Sequence, residues 1–544
     1  MKLSSIIYKA LLLAGTATMF FSCTKLDQNV YSVVPNQNFW STPEQIAAGI
    51  APAYASLVNI PDGDYHDLAE IPGDDMIVPA RGADWLADGQ WIQLWQHTWT
   101  ATTAQVQDCW SALYGGIGQI NFILSVVNNL DPAPANINNI NAELKTLRAL
   151  YYYWAMDLYG NIPLVTSFET DASTLTNSPR KDVYNFIDSE INNSLPYLST
   201  DVSKTTYGRI TKYAAFCTLA KLYLNAQTYT GTPQWAKTVQ MCDSVIASGK
   251  YSLEPNYFDN FSVHNEGSRE NIFVVPFDNV NIGGNNWGME TLHYQNDANY
   301  AMPGGAWNGY CTNAEFYSLY DTSSVYTAKG DNVYRTYNDE RAGQFIIGQQ
   351  YREQVTYPPN INMLSYSSDP GLKLKDLQTS LDLSFYADFD KISSPDGTFR
   401  LAGLRNIKYF PEAGVNVSQS NDMVIYRLAD VLLMRAEASL RNGNASATDL
   451  GYVNAIRERA YSGDVSHDWK MSDLTLTNIY DERGRELAWE NFRRQDAIRF
   501  GTFGNARKPQ KEKDADDHWQ IFPIPENQHT ANQNLKQNPG YPPF

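Results

Sequence analysis

The sequence is poor in cysteine, in positive charge and in long apolar runs, and each shortage removes a class of protein. Five cysteines in 544 residues, none in a CxxC pair, exclude a disulfide scaffold and a zinc site of ordinary spacing. Cys217 in "YAAFCTLAKLYL" and Cys242 in "VQMCDSVI" read as small apolar fillers of helices, and Cys109 and Cys311 are equally isolated. With 41 basic against 59 acidic residues the formal charge is −18. That disfavours nucleic acid, whose affinity rests on clustered Lys and Arg, and it disfavours adhesion to anionic lipid headgroups. Beyond residue 22 no run approaches the roughly 18 consecutive apolar residues of a membrane-spanning helix.

Catalytic signatures are missing as well. There is no HExxH, no GxSxG and no GxxxxGK[ST], and "GGIGQIN" (115–121) fails the dinucleotide pattern because Asn121 stands at the third glycine. No cofactor or metal is implied. "DGDYHD" (62–67) opens like a calcium loop, but His66 takes the third ligand position and the glycine is misplaced, so it reads as a polar turn. Acid pairs such as Asp74 with Asp75, or Asp514 with Asp516, read as solvated surface or helix caps, because spacing alone cannot single out a hydrolytic pair.

What the chain has is aromatic side chain: 35 Tyr, 13 Trp and 22 Phe, with 43% hydrophobic residues, ample for a large core. Its N-terminus carries Lys2 and Lys9, the apolar run "ALLLAGTATMFF" and then Ser22 before Cys23. The run is too short to span a bilayer and reads as a secretory leader, 1–22. A small residue before cysteine at the end of such a run resembles the bacterial lipobox, with Phe20 departing from its usual Leu. Lipidation is then expected at Cys23, with the mature charge at −20 once the two lysines are removed.

Helical periodicity dominates residues 23–254 and 421–544. The stretches are 42–58, 106–130, 142–160, 182–198, 210–229 and 233–251, then 422–443, 446–460 and 476–501. The glycines of "GGIGQIN" fall inside one of them and suit close helix contact. Residues 255–420 are rich in Gly, Asn, Tyr and Pro, with short β-type runs "NIFVVPF" and "RNIKYF", and predict a loop-rich insertion in one compact unit. Two helix–turn–helix stretches, 210–251 and 426–460, resemble tetratricopeptide units. In "DERGRELAWENFRRQDAIRFG" the spacing places Glu486 and Glu490 on one helical face, with Arg493 and Arg494 at ion-pair distance along the same helix.

Ordered motifs carry a more specific resemblance. They include "WSALYGGIGQINFIL" with Trp110, Tyr114, Ile117 and Asn121, "AELKTLRALYYYWAMDLYGNIPLVT" with Glu143, Arg148, Gly160 and Pro163, and "GRITKYAAFCTLAKLYL". "YRLADVLLMRAEA", "ERGRELAWENFRRQDAIRFG" and the ending "FPIPENQHTANQNLKQNPGY" follow in order. Together they resemble the SusD/RagB family of outer-membrane lipoproteins from Bacteroidetes. The chain departs from that pattern at Leu428, Asn491, Arg494 and Ala497, where the family favours Tyr, Gly, Trp and Leu. The resemblance implies a mainly α, SusD-like fold: four tetratricopeptide-like helix pairs with a loop-rich α+β remainder. It implies a non-catalytic lipoprotein facing outward from the outer membrane, which captures a glycan and delivers it to a SusC-like, TonB-dependent transporter. A RagB-like peptide binder and a secreted glycoside hydrolase are the competing readings.

Ligand residues must be sought by chemistry, as flat aromatic faces with nearby polar groups. In "GADWLADGQWIQLWQHTWT" (82–100), Trp91, Trp95 and Trp99 recur at helical spacing and read as a core stripe, whereas Trp85 lies on a Gly- and Asp-flanked loop beside Arg81. The later loop "IGGNNWGMETLHYQNDANYAMPGGAWNGY" (282–310) adds Trp287, Tyr294 and Trp307. The expected glycan site is therefore Trp85, Arg81, Trp287, Tyr294 and Trp307. Trp307 and Tyr310 have a plainer alternative role, pinning the long loop to the helices.

Overall fold

A computed structural model describes Trp40 and residues 42–281, 283–329, 332–352, 364–367, 370–415 and 417–544. The leader 1–22 and the lipidation position Cys23 lie outside the described residues. The chain divides into two compact units, Met1–Gly49 and Ile50–Phe544, and the second holds both the helical body and the insertion.

The fold is mainly helical, 47% helix against 10% strand. Its principal helices are α1 (Asp64–Glu70), α2 (Gln90–Gln96), α3 (Ala104–Asn128), α4 (Ile137–Tyr159), α5 (Arg180–Ser194), α6 (Lys212–Leu224) and α7 (Trp235–Ile246). After the insertion come α8 (Leu428–Arg441), α9 (Ala447–Ala460), α10 (Leu476–Leu487) and α11 (Arg493–Phe500). Helices pack on neighbours in succession: α3 on α4, α4 on α5, α6 on α7, α7 on α8, and α8 on both α9 and α10. The α4 stretch "LRALYYYWAMDLY" is buried on every face, as expected of a helix with no polar side. One glycine of "GGIGQIN" explains how closely α3 can approach it: a Cβ on Gly116 would lie 2.4 Å from the Tyr151 ring, whereas Gly115 and Gly118 face open space. By length and composition α3 could cross a bilayer, but it packs on α1 and α4 with half of its apolar window buried. Cys109, Cys217, Cys242 and Cys311 are all free and buried.

Two expected helices are corrected. The stretch 422–443 begins as a strand, β5 (Met423–Arg427), before α8 starts at Leu428. β5 pairs antiparallel with β1 (Asn271–Val275), which is "NIFVV", so the two ends of the insertion are clamped together. All of β5 and all but the first residue of β1 are buried, which is why both read as unbroken apolar runs. The stretch 476–501 is two helices, because Trp489 and Asn491 take left-handed backbone angles, φ 60° and 68°, between α10 and α11. The break redirects the charges. Arg493 reaches Asp74 and Arg494 reaches Asp157 at 2.8 Å, while Glu486 and Glu490 both accept from Arg427, at 2.6 and 2.7 Å. The pairing expected along one helix is thus replaced by pairing between elements.

Inside the insertion β2 (Ser324–Lys329), β3 (Asn332–Tyr337) and β4 (Leu364–Ser367) form a three-stranded antiparallel sheet. "RNIKYF" contributes only Arg405–Asn406, paired with Phe345–Ile346. A further short parallel pair, Ala80–Arg81 with Ser393–Ser394, ties the early loop to the insertion.

Candidate functional site

The loop "GADWLADG" (82–89) is wound tightly: Gly82, Trp85, Ala87, Asp88 and Gly89 all have positive φ, between 29° and 78°. At its start Arg81 is buried, 3% exposed. Its guanidinium donates to the carbonyls of Asn308 (2.6 Å), Gly309 (2.9 Å) and Ala402 (2.9 Å). Arg81 is therefore corrected from a hydroxyl donor to an internal brace that holds the later loop against the early one.

The later loop folds back over the short helix Trp287–Thr291, with the amides of Trp307, Gly309 and Tyr310 donating to the carbonyls of Met289 (2.6 Å), Glu290 (2.7 Å) and Glu290 (2.9 Å). That turn presents the Trp307 carbonyl to the Trp85 indole N–H at 2.7 Å. It also places Tyr294, whose hydroxyl donates to Asp84 Oδ2 at 2.7 Å. The Arg400 guanidinium donates to the same oxygen at 2.8 Å and lies over the Tyr294 ring, 4.9 Å from its centroid. Burial, then the bond to Asp84, pushes the Tyr294 hydroxyl up to about 12, so it remains a donor at neutral pH.

Three of the expected residues thus converge, from segments more than 200 positions apart. Trp307 is 38% exposed and Trp85 and Tyr294 are half-buried, so ring surface remains available to solvent. Trp287 is corrected: it is 2% exposed and packs between His66 (5.3 Å), Tyr409 (4.9 Å) and Trp489 (5.6 Å), with no face left for stacking. It supports the later loop from beneath.

The core stripe also divides. Trp95 and Trp99 are buried, with indole N–H groups donating to the Pro509 carbonyl and the Tyr541 hydroxyl, each at 2.7 Å. The helix ends at Gln96, where His97 has φ 54°, so Trp99 lies beyond it. Trp91 is only half-buried and meets Trp85 edge-on at 4.8 Å. With Tyr310 at 5.7 Å, it forms the backing of the Trp85 ring. Sequence reasoning missed Trp91 as part of this platform, and also Asp84 and Arg400. Asp84 could have been found by its position beside Trp85, but Arg400, from the far side of the insertion, carries no local signal.

Beneath the platform lies an acid cluster that corrects the reading of "DGDYHD" as a polar turn. Asp67 is buried and accepts from the Tyr310 hydroxyl (2.7 Å) and the Trp91 N–H (3.2 Å). Burial raises its carboxyl to about 6, against those bonds. Burial, with Asp67 nearby, raises Asp64 to about 7, and burial raises Asp62 and Glu290 also. The pair Asp74 and Asp75 is likewise not solvated surface. Asp74 pairs with Arg493, and buried Asp75 accepts from the Trp489 amide at 3.1 Å.

This geometry can be set beside known proteins. A family profile described as "SusD family" matches residues 269–541. The chain belongs to the SusD family. A second profile, described as "Starch-binding associating with outer membrane", matches residues 26–224. The starch-binding protein SusD of Bacteroides thetaiotaomicron is 26% identical, over 87% of this chain and 84% of that protein. SusD-like protein P25 of Formosa agariphila is 25% identical, over 92% and 90%. Among solved structures, a laminarin-binding SusD-like protein aligns with TM-score 0.67 at 20% identity, covering 92% of this chain and 100% of its own. Surface glycan-binding protein A of Bacteroides thetaiotaomicron, solved with laminarihexaose, aligns with TM-score 0.63 at 18% identity, covering 91% and 99%. At those identities the solved structures establish a SusD-like fold and nothing finer.

Proposed function

We propose that this SusD-family chain is a non-catalytic, surface glycan-binding lipoprotein. In this reading it is anchored through Cys23 to the outer membrane and hands captured oligo- or polysaccharide to a SusC-like TonB-dependent transporter. The described parts of 23–254 and 421–544 supply the helical scaffold, and the 82–89 loop and the 255–420 insertion each carry half of the site. The observation that carries the reading is the convergence of Trp85, Trp307 and Tyr294 beside Asp84 and Arg400. Sugar rings offer apolar C–H faces to indole and phenol surfaces and hydroxyl edges to carboxylate and guanidinium groups. Nothing reactive is needed there. The starch- and laminarin-binding relatives support the same reading.

The test is affinity electrophoresis of the mature protein in gels containing a panel of polysaccharides, with calorimetry on those that retard it. Retention by at least one glycan, lost in Trp85→Ala and Trp307→Ala, is expected. Retention of mixed peptides without any glycan would replace this reading with peptide capture, and release of reducing sugar from the same panel would replace it with hydrolysis.

A further inference from the structure

Resting on the glycan-binding reading, we infer that this site selects uncharged glycans and turns away acidic ones. The reason is how the cations around the platform are committed. Arg400 lies over the half-buried Tyr294 ring, and it is held between two carboxylates, its Nη1 on Asp84 at 2.8 Å and its Nε on Asp376 at 2.5 Å. Two further guanidiniums lie behind the loop and are consumed by it. Arg81 holds the Asn308, Gly309 and Ala402 carbonyls. Arg405, fully buried, donates to the Ala402 carbonyl at 2.8 Å and to the Asn308 side chain at 2.6 Å. Lys373 and Lys375, which precede Asp376, are solvent-exposed and stand 3.6 and 3.5 Å from the same exposed carboxylate, that of Asp382, a weak surface pairing on the far side of Asp376 in sequence from Arg400.

The accessible charge beside Trp85 is therefore negative. The Asp84 side chain is 37% exposed, its Oδ2 serves Tyr294 and Arg400, and Asp88 is exposed on the same loop. A uronate or sulfate ester stacked on Trp85 would face Asp84, and among the described residues the cation bonded to that carboxylate is Arg400, which the ligand would have to draw away from two partners. A neutral sugar meets no such penalty, because its hydroxyls donate to a carboxylate oxygen in a charge-assisted bond.

The experiment compares two halves of one panel in affinity gels: amylopectin, mixed-linkage β-glucan and galactomannan against polygalacturonate, alginate and chondroitin sulfate. Wild-type protein is expected to be retarded by at least one neutral polymer, in a manner lost with Trp85→Ala, and by no acidic one. Asp84→Asn, with its melting temperature checked against wild type, is expected to weaken neutral retention severalfold and to let salt-sensitive retention by an acidic polymer appear. Retention of wild type by an acidic polymer that disappears in Trp85→Ala would overturn the charge selection while leaving the glycan reading intact. Retention by no polymer in either half would defeat the glycan reading itself, and the selection with it. The wild-type comparison decides between these outcomes even if Asp84→Asn does not fold.

Discussion

Trp85 holds φ at 58°, a left-handed backbone that costs a residue with a Cβ about 1 kcal/mol or more relative to glycine. The loop tolerates that angle because the indole is gripped from three directions: its N–H by the Trp307 carbonyl, its edge by Trp91 and its flank by Tyr310. Gly309 completes the seat, since a Cβ there would fall 2.4 Å from Trp85 Cζ2 and 2.7 Å from the Glu290 carbonyl. Gly309→Ala should thus displace the Trp85 ring without removing any aromatic group. An affinity loss of roughly fivefold is expected, equivalent to about 1 kcal/mol of aromatic contact. Calorimetry on whichever glycan the wild type retains checks it, and unchanged affinity would mean that the ring is not seated as described. Gly89→Ala isolates the backbone contribution: the position has φ 78° and open space around it, so about 1 kcal/mol of stability should be lost with binding unaltered, read by chemical denaturation.

Among the elements, α10 is held by charge. Glu486, fully buried, accepts from Arg341 (3.0 Å) and Arg427 (2.6 Å) and is also paired with Arg459, so one carboxylate joins the insertion, β5, α9 and α10. Burial works to raise its pKa, but Arg459, Arg427 and Arg341 outweigh burial and hold it well below the usual carboxylate range. Glu486→Gln leaves three buried guanidiniums short of a counter-charge, and a stability loss of about 3–5 kcal/mol is expected in urea denaturation. A loss below about 1 kcal/mol would show that the neighbouring acids compensate. Just past α10, the break at Trp489–Asn491 accounts for one departure from the family pattern. Asn491 stands where the family favours glycine and has φ 68°, and asparagine is among the few other residues that accept such an angle. The backbone requirement is kept although the residue is not.

For the whole molecule, two sets of buried acids set opposite pH limbs. Glu482 and Glu486 titrate below their ordinary range once their arginine partners outweigh burial, so their contribution is present above about pH 4.5 and falls away only in strong acid. Asp67 and Asp64 go the other way, raised to about 6 and 7 by burial. The folded state keeps their protons while the unfolded chain releases them near pH 4, so the stability they contribute declines as pH rises from about 4 to 7. Buried His66, His97 and His293, lowered by burial to about 4, pull the opposite way over the same range, so the acid contribution is read by difference. The unfolding free energy of wild type minus that of Asp67→Asn should fall from pH 4.5 to 5.5 to 7, and a difference independent of pH would place the slope's origin elsewhere. The helical layers were legible because apolar spacing is a local property, and the positions of α3 to α7 follow from it to within five residues at either end. The break after α10 and the strand before α8 were not, because both depend on partners distant in sequence: Asp75 on Trp489, and β1 on β5. The same division runs through the site. Local composition singled out Trp85, Tyr294 and Trp307 as candidates, since aromatic rings among Gly, Asn and Asp announce a loop without a core of its own. Which rings face outward was decided only by tertiary contacts. The backbone of the later loop claims Arg81, the interior closes over Trp287, and Arg400 arrives from the far side of the insertion to meet Asp84, a meeting that no pattern of neighbouring residues encodes.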